Sequence, residues 1–302
     1  MFKINSANLA LYLIEKYKSN WDDGNPDLTT KVTSREHEYE YALLQLHKKT
    51  QSGIGERVLN KKVLEIGCGH GGICVYASMN GASSVVGIDL SSEVLDIANS
   101  LKSEFETKQL IRKNNIQFIK ASTENLPFED NSFDLIIADN VFEHVEDLDA
   151  TLKECKRVLV DGGILFAPTF PSILSKAGPH LKYGTKIPWL HVFFTEKAIC
   201  SALFKRAIKH PELKLFEYYE GLINKPNNFR DVRKYKDLNY ITNKKMKDAI
   251  KRSGLKLTQF SVHRSLTFKM LFRLFPFLSK TNIDDILSTG SSFKAVKAKS
   301  NV

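Results

Sequence analysis

VLEIGCGHGG, from Val63 to Gly72, is a short apolar run that stops abruptly in three spaced glycines. Such a run is a buried strand that turns at once into a helix. Glycines suit the turn because the backbone must bend tightly and let a ligand approach closer than a Cβ permits. Two more features make it a nucleotide-binding turn. Glu65 stands inside the strand, two residues before Gly67, and Asp89 ends the next strand-like run, 22 positions after Gly67. A carboxylate at that second place accepts hydrogen bonds from both ribose hydroxyls. A third acidic residue, Glu124, follows the third strand-like run in ASTENLPF.

Working outward, strands are expected at Lys62 to Ile66, Ser84 to Ile88, Gln117 to Lys120, Phe133 to Ala138 and Ile164 to Ala167. Helices are expected from Gly71 to Asn80, stopped by Gly81, and from Ser92 to Lys102. Leu148, Leu152, Cys155 and Leu159 form a stripe that predicts an amphipathic helix over 147–160, followed by a turn at Asp161-Gly162-Gly163. Upstream, Thr33 and Glu36 read as a capping box opening another helix. Strand and helix alternating at this rhythm predict a doubly wound, mainly parallel α/β sheet. After Pro168 the rhythm breaks, and 171–240 read as an inserted cap. It resumes with a helix from Thr242 to Ser253, a strand over Leu255 to Val262 and a last strand over Ser291 to Lys299. The expected organisation is therefore one domain over 1–302, with its cofactor-binding core at 33–170 and its sheet completed within 241–302.

Composition sets the class of partner. With 302 residues, 42% of them hydrophobic and 26% charged, the chain is ordinary globular protein. No apolar run approaches the ~18 residues that span a bilayer. Residues 1–20 lack the uninterrupted apolar centre of a secretion signal, so a cytoplasmic location is expected. Cys68, Cys74, Cys155 and Cys200 form no CxxC pair, and no metal site is expected from them. Residues 203–302 hold 22 of the 44 Lys and Arg but 8 of the 34 Asp and Glu. That basic third suits an anionic acceptor or peripheral contact with an acidic membrane, unless it is simply a solvated face. No nucleic-acid-binding signature is present, and none is expected as a partner.

Taken together, these motifs resemble the class I S-adenosylmethionine-dependent methyltransferases, in particular the small-molecule (type 11) subgroup that includes the ubiquinone and menaquinone enzymes. The likeness covers roughly 35–170, with a weaker echo at 242–299. The family's first motif, [DE]-x-G-x-G-x-G, is matched by Glu65, Gly67, Gly69 and Gly71. Its D-A-E-x-L-P-F motif is matched from Ser122 to Phe128, with Ser122 in place of the usual Asp. Its segment from Phe-Asp to Glu-His is matched from Phe133-Asp134 to Glu143-His144. The resemblance implies a seven-stranded Rossmann-like sheet with one antiparallel strand and S-adenosyl-L-methionine as cofactor. It implies a cofactor set of Glu65, Gly67, Cys68, Gly69, Gly71, Asp89, Leu90, Ser122, Thr123, Glu124 and Asn140. Glu65 is placed by it near the methionine end of the cofactor, whose ammonium and sulfonium take the place of phosphates.

A nicotinamide or flavin dehydrogenase is the rival reading, since Gly72 completes a G-x-G-x-x-G spacing. Glu65, the LPF motif and the Glu-His segment argue against it. A hydroxyl acceptor would need a base, and His is the usual one. His180 and His191, in the cap, and His144, after the fourth strand, are the candidates; the cap pair is open instead to binding a divalent metal or an acceptor hydroxyl, and each of the three also has a packing or hydrogen-bonding role open to it. Tyr183 and Trp189 are expected to wall an aromatic acceptor pocket. The dense apolar stretch at 266–279 reads as a lid helix, a membrane-surface anchor, a dimer contact or packing buried against the cap. An oxygen-directed small-molecule methyltransferase is the expected function. An amine-directed enzyme and a cofactor-binding protein without turnover stand beside it.

Overall fold

A computed structural model describes residues 7–16, 54–175, 189–210, 238–264 and 283–299. The expected elements at Thr33–Glu36 and 266–279, and the side chains of His180 and Tyr183, lie outside the described residues. Among the described residues the first elements are α1 (Ala7–Lys16) and α2 (Gly55–Val58). There follow β1 (Lys62–Ile66), α3 (Gly72–Met79), β2 (Ser84–Asp89), α4 (Ser92–Thr107), β3 (Ile116–Lys120) and β4 (Phe133–Ala138). Next come α5 (Leu148–Val158), β5 (Leu159–Phe170), α6 (Leu190–Phe193) and α7 (Glu196–Lys209). The last are α8 (Asn243–Ser253), β6 (Lys256–Arg264), α9 (Ile283–Ile286) and β7 (Ser288–Val296).

The seven strands of the described residues form one sheet in the order β3-β2-β1-β4-β5-β7-β6. Neighbours from β3 to β5 are parallel, and β7 is antiparallel to β5. β1 sits where the strand order reverses, with β2 on one side and β4 on the other. That is the place where doubly wound sheets bind ligands, beyond the carboxyl ends of the strands. In β1 the residues from Val63 to Ile66 are all buried, as expected of a central parallel strand covered on both faces. Val63, Val85, Leu135 and Ile137 join Ile73, Leu95 and Leu101 in the core beside it.

Local chemistry sets the helix starts. Ser91 Oγ accepts from Val94 N–H and opens α4, and Asp147 Oδ1 accepts from Ala150 N–H at 2.9 Å and opens α5. α4 runs beyond the expected Lys102, to Thr107. β5 departs further from expectation. Leu159 fits the helical stripe of α5 by spacing, yet it takes extended backbone and starts β5. The strand then passes through Asp161-Gly162-Gly163, which was expected to be a turn. The reason is a pairing that sequence does not show: Gly162 N–H donates to Lys297 O at 2.9 Å, and Lys297 N–H to Gly163 O at 3.0 Å.

The described residues divide into two compact units. One holds 54–170, 243–261 and 291–299; the other holds 7–16, 171–175, 189–210, 238–242, 262–264 and 283–290. Within the second unit α1 packs on α7, and Lys205 Nζ donates to Asn8 Oδ1 at 2.7 Å. Tyr240 donates its hydroxyl to Glu196 at 2.6 Å, and Arg264 Nε donates to Asp284 at 2.9 Å. Among the described residues no helix is long and apolar enough to cross a membrane.

Candidate active site

The glycine turn lies between β1 and α3, and its glycines answer different demands. Gly67 has φ +63°, and a Cβ there would lie 2.6 Å from Val141 Cγ2. A side chain at 67 would therefore need Val141 to shift. Gly69 has φ +49° and open space where a Cβ would stand. At Gly71 a Cβ would meet Phe118 Cζ at 2.6 Å and Ala98 Cβ at 2.9 Å, so that glycine lets α3 pack against β3 and α4.

Asp89 fastens this turn to β2. Gly69 N–H donates to Asp89 Oδ2 and Ser91 N–H donates to Oδ1, both at 3.0 Å. Cys68 N–H donates to Ile88 O at 2.8 Å, closing the same junction. Each carboxylate oxygen still has a lone pair for a hydroxyl donor. Leu90, the next residue, is 67% exposed and offers an apolar surface at the rim. Glu65, by contrast, is 3% exposed, and its Oε2 accepts from the Cys74 thiol at 2.9 Å. The Cys68 thiol is pushed upward by burial and by the charges of Glu65 and Asp89.

The segment after β3 is held from below by α5. Ser122 Oγ accepts from Glu124 N–H at 3.2 Å, and Thr123 Oγ1 lies 3.0 Å from Thr151 Oγ1. Glu124 Oε1 accepts from Asp147 N–H at 2.7 Å, so this carboxylate ties the segment to the start of α5. Arg157 completes the frame. Its guanidinium donates to Phe128 O at 2.7 Å, Leu126 O at 2.9 Å, Asp130 Oδ1 at 2.9 Å and both oxygens of Glu154. Glu154 in turn accepts from Leu126 N–H at 2.8 Å. These bonds hold Arg157 further above its ordinary range and Glu154 below its own. Sequence reasoning missed the pair. The visible signal was an acid and a base three apart in LKECKRV.

Beyond β4, Asn140 takes a left-handed conformation with φ 55°, and its N–H donates to Thr169 O at 2.9 Å. Glu143 is 2% exposed, and burial pushes its carboxyl up to about 8. His144 Nε2 lies 3.9 Å from Glu143 Oε1, while its own N–H closes a turn onto Val141 O. Asp134, from the same motif, accepts from Lys62 N–H at 2.8 Å and pins β1 to β4. His191 belongs to the other unit, where it is 5% exposed in α6. Trp189, at the start of that helix, has φ 59° and donates its indole N–H to Ile286 O. The structure thus gathers Glu65, the glycine turn, Asp89, Leu90, Ser122 to Glu124, Asn140 and His144 in the unit built on β1 to β5. Among the described residues no group of three or more His, Cys, Asp or Glu is arranged to hold a metal ion.

Residues 64–167 match a family model described as a methyltransferase domain. A ubiquinone biosynthesis O-methyltransferase of Chelativorans sp. is 32% identical over 117 residues, which cover 39% of this chain and 43% of the relative. Norajmaline N-methyltransferase of Rauvolfia serpentina is 32% identical over 102 residues, covering 34% of this chain and 33% of the relative. A solved Listeria monocytogenes structure, provisionally described as an S-adenosylmethionine-dependent methyltransferase, is alike in fold. Its TM-score is 0.50 at 16% identity, over 85% of this chain and 98% of that one. The chain spans less than half the length of these two curated relatives.

Proposed function

We propose that this chain, whose sheet has the Rossmann-like fold of class I S-adenosylmethionine-dependent methyltransferases, transfers a methyl group to a small-molecule acceptor at oxygen. The observation that carries the reading is the junction of Gly69 with Asp89. There an open approach to the backbone lies beside a carboxylate that keeps acceptor capacity for a ribose. The residues present suit the cofactor. Asp89 takes the ribose hydroxyls, Gly69 the close approach, Leu90 and the Ser122 to Glu124 segment the adenine, and Glu65 the ammonium end.

When bound, S-adenosylmethionine supplies an electrophilic methyl on a sulfonium, whose departure as a thioether needs no proton. The protein's task is therefore to align the acceptor and exclude water. A hydroxyl acceptor also gives up a proton, for which His191, His180 and His144 are the candidate bases. An anionic or aromatic acceptor in the cytoplasm accords with the basic last third of the sequence and with aromatic residues such as Trp189 and Tyr183.

The second reading is an amine acceptor, bound in its neutral form and needing no base. The likeness to norajmaline N-methyltransferase accords with it. Calorimetric titration with S-adenosylhomocysteine tests the site. A panel of phenols, hydroxy acids and amines, followed by the S-adenosylhomocysteine formed, then separates the acceptors. Tight binding without turnover on any class would leave a cofactor-binding protein, and no binding would refute the methyltransferase reading.

A further inference from the structure

We infer that Cys74 is a positioning residue for Glu65: its thiol donates to the buried carboxylate and aims it at the amino-acid end of the cofactor, a role that rests on the methyltransferase reading above. Three elements converge to make the contact. Glu65 on β1 pairs in register with Gly87 on β2. Cys74, two residues into α3, brings its Sγ to 2.9 Å from Glu65 Oε2. The sulfur occupies the space over Gly87, where a Cβ would lie only 2.8 Å from it. A Cβ at 87 would also lie 2.8 Å from Phe118 Cδ1, so a larger residue there would crowd both the thiol and that ring.

The chemistry is consistent in each part. Cys74 is fully buried, and burial and the charge of Glu65 hold its thiol well above its ordinary range. It therefore remains a protonated donor at any physiological pH, and no acid–base or redox step is asked of it. Glu65 is 3% exposed, so its rotamer is set by packing and by such bonds instead of by water. With Oε2 engaged by the thiol, the plane of the carboxylate is held in one orientation. The thiol thus holds in place a side chain that would itself meet the ligand.

The test uses the full chain and two ligands, S-adenosylhomocysteine and 5′-methylthioadenosine, which share the adenosine and thioether but differ in the amino-acid tail. Calorimetry on Cys74→Ala is expected to show roughly five- to tenfold weaker binding of S-adenosylhomocysteine. Binding of 5′-methylthioadenosine should stay within about twofold. Cys74→Ser, which restores a donor, should recover most of the loss. In a Glu65→Gln background, Cys74→Ala should add no selective loss. Equal weakening of both ligands in Cys74→Ala, or no weakening of either, overturns the positioning role while leaving the methyltransferase reading intact. Failure of the wild-type chain to bind either ligand overturns both.

Discussion

Gly69 donates its amide proton to Asp89 Oδ2 at 3.0 Å, so the carboxylate that would receive the ribose also holds the loop on which the cofactor would close. The two functions are built into one side chain. Asp89→Ala should accordingly weaken S-adenosylmethionine by roughly 2 kcal/mol or more, since it removes charge-assisted bonds to the ligand and loosens the loop. It should also lower the Tm of the ligand-free chain, because two backbone amides lose their acceptor. Calorimetric titration and a thermal melt read the two effects. Unchanged affinity would remove Asp89 from the ribose site.

The glycines should respond differently to the same substitution. At Gly67 a methyl group meets Val141 at 2.6 Å, and φ is +63°. Gly67→Ala is expected to lose stability by about 1–3 kcal/mol, with part of that loss recovered in a Gly67→Ala/Val141→Ala chain. At Gly69 the methyl group meets nothing within 4 Å. Its substitution should cost about 1 kcal/mol of stability, from the left-handed backbone alone, but should weaken cofactor binding strongly. Urea unfolding beside titration distinguishes them. If Gly67→Ala keeps full stability, the Val141 contact does not set the turn.

Much of this was legible in the sequence because it is local. β1 reads as an apolar run because it is a central strand buried on both faces, and the glycine turn is carried within a few neighbouring residues. β5 was half legible. Ile164 to Ala167 are apolar, but the extension through Gly162 and Gly163 depends on Lys297, more than a hundred residues away. Arg157 illustrates the same limit. Its role consists of carbonyls at 126 and 128, which have no sequence signature, whereas its partner Glu154 lies in view three residues back. α6 and α7 were hidden because the prolines and aromatics of 171–240 blur helical periodicity.

Arg157 yields a prediction of its own. Lysine keeps the charge but cannot donate in several directions at once, so Arg157→Lys should lose most of the clamp on residues 126–130. A stability loss of about 1–2 kcal/mol is expected, together with weaker binding of adenosine itself. Binding of ligands by their adenosine part is the sensitive readout. If adenosine affinity stays unchanged while stability falls, the 122–128 segment is not part of the adenine site.

Glu143 should make stability depend on pH. Burial raises its carboxyl to about 8, far above its value in the unfolded chain. The folded chain therefore holds a proton that the unfolded chain releases, and stability is lost as pH rises from the unfolded value through about 8. Glu143→Gln removes this dependence. Its Tm relative to wild type should rise between pH 5.5 and pH 8.5, by an amount corresponding to roughly one to a few kcal/mol. A Tm difference that stays flat across that range would show that Glu143 titrates normally.

The last expectation concerns the base. An oxygen nucleophile must lose its proton as the methyl arrives, and a histidine within hydrogen-bond reach does this near neutral pH. Of the three candidates, His144 already closes a turn through its backbone and lies 3.9 Å from Glu143, so its ring has a structural neighbour. His191 is 5% exposed, and His180 lies outside the described residues. For an oxygen acceptor, His191→Gln or His180→Gln should lower turnover by roughly 100-fold, and the acid limb of the rate profile should vanish in that variant. S-adenosylhomocysteine affinity should hold in the same variant, because Asp89 and the glycine turn are untouched. A melt on each variant separates chemistry from packing, since a buried histidine that serves only the fold would lower Tm along with turnover. Near-wild-type turnover in both single variants and in the double variant would discard the histidine base and leave the amine acceptor as the reading to pursue.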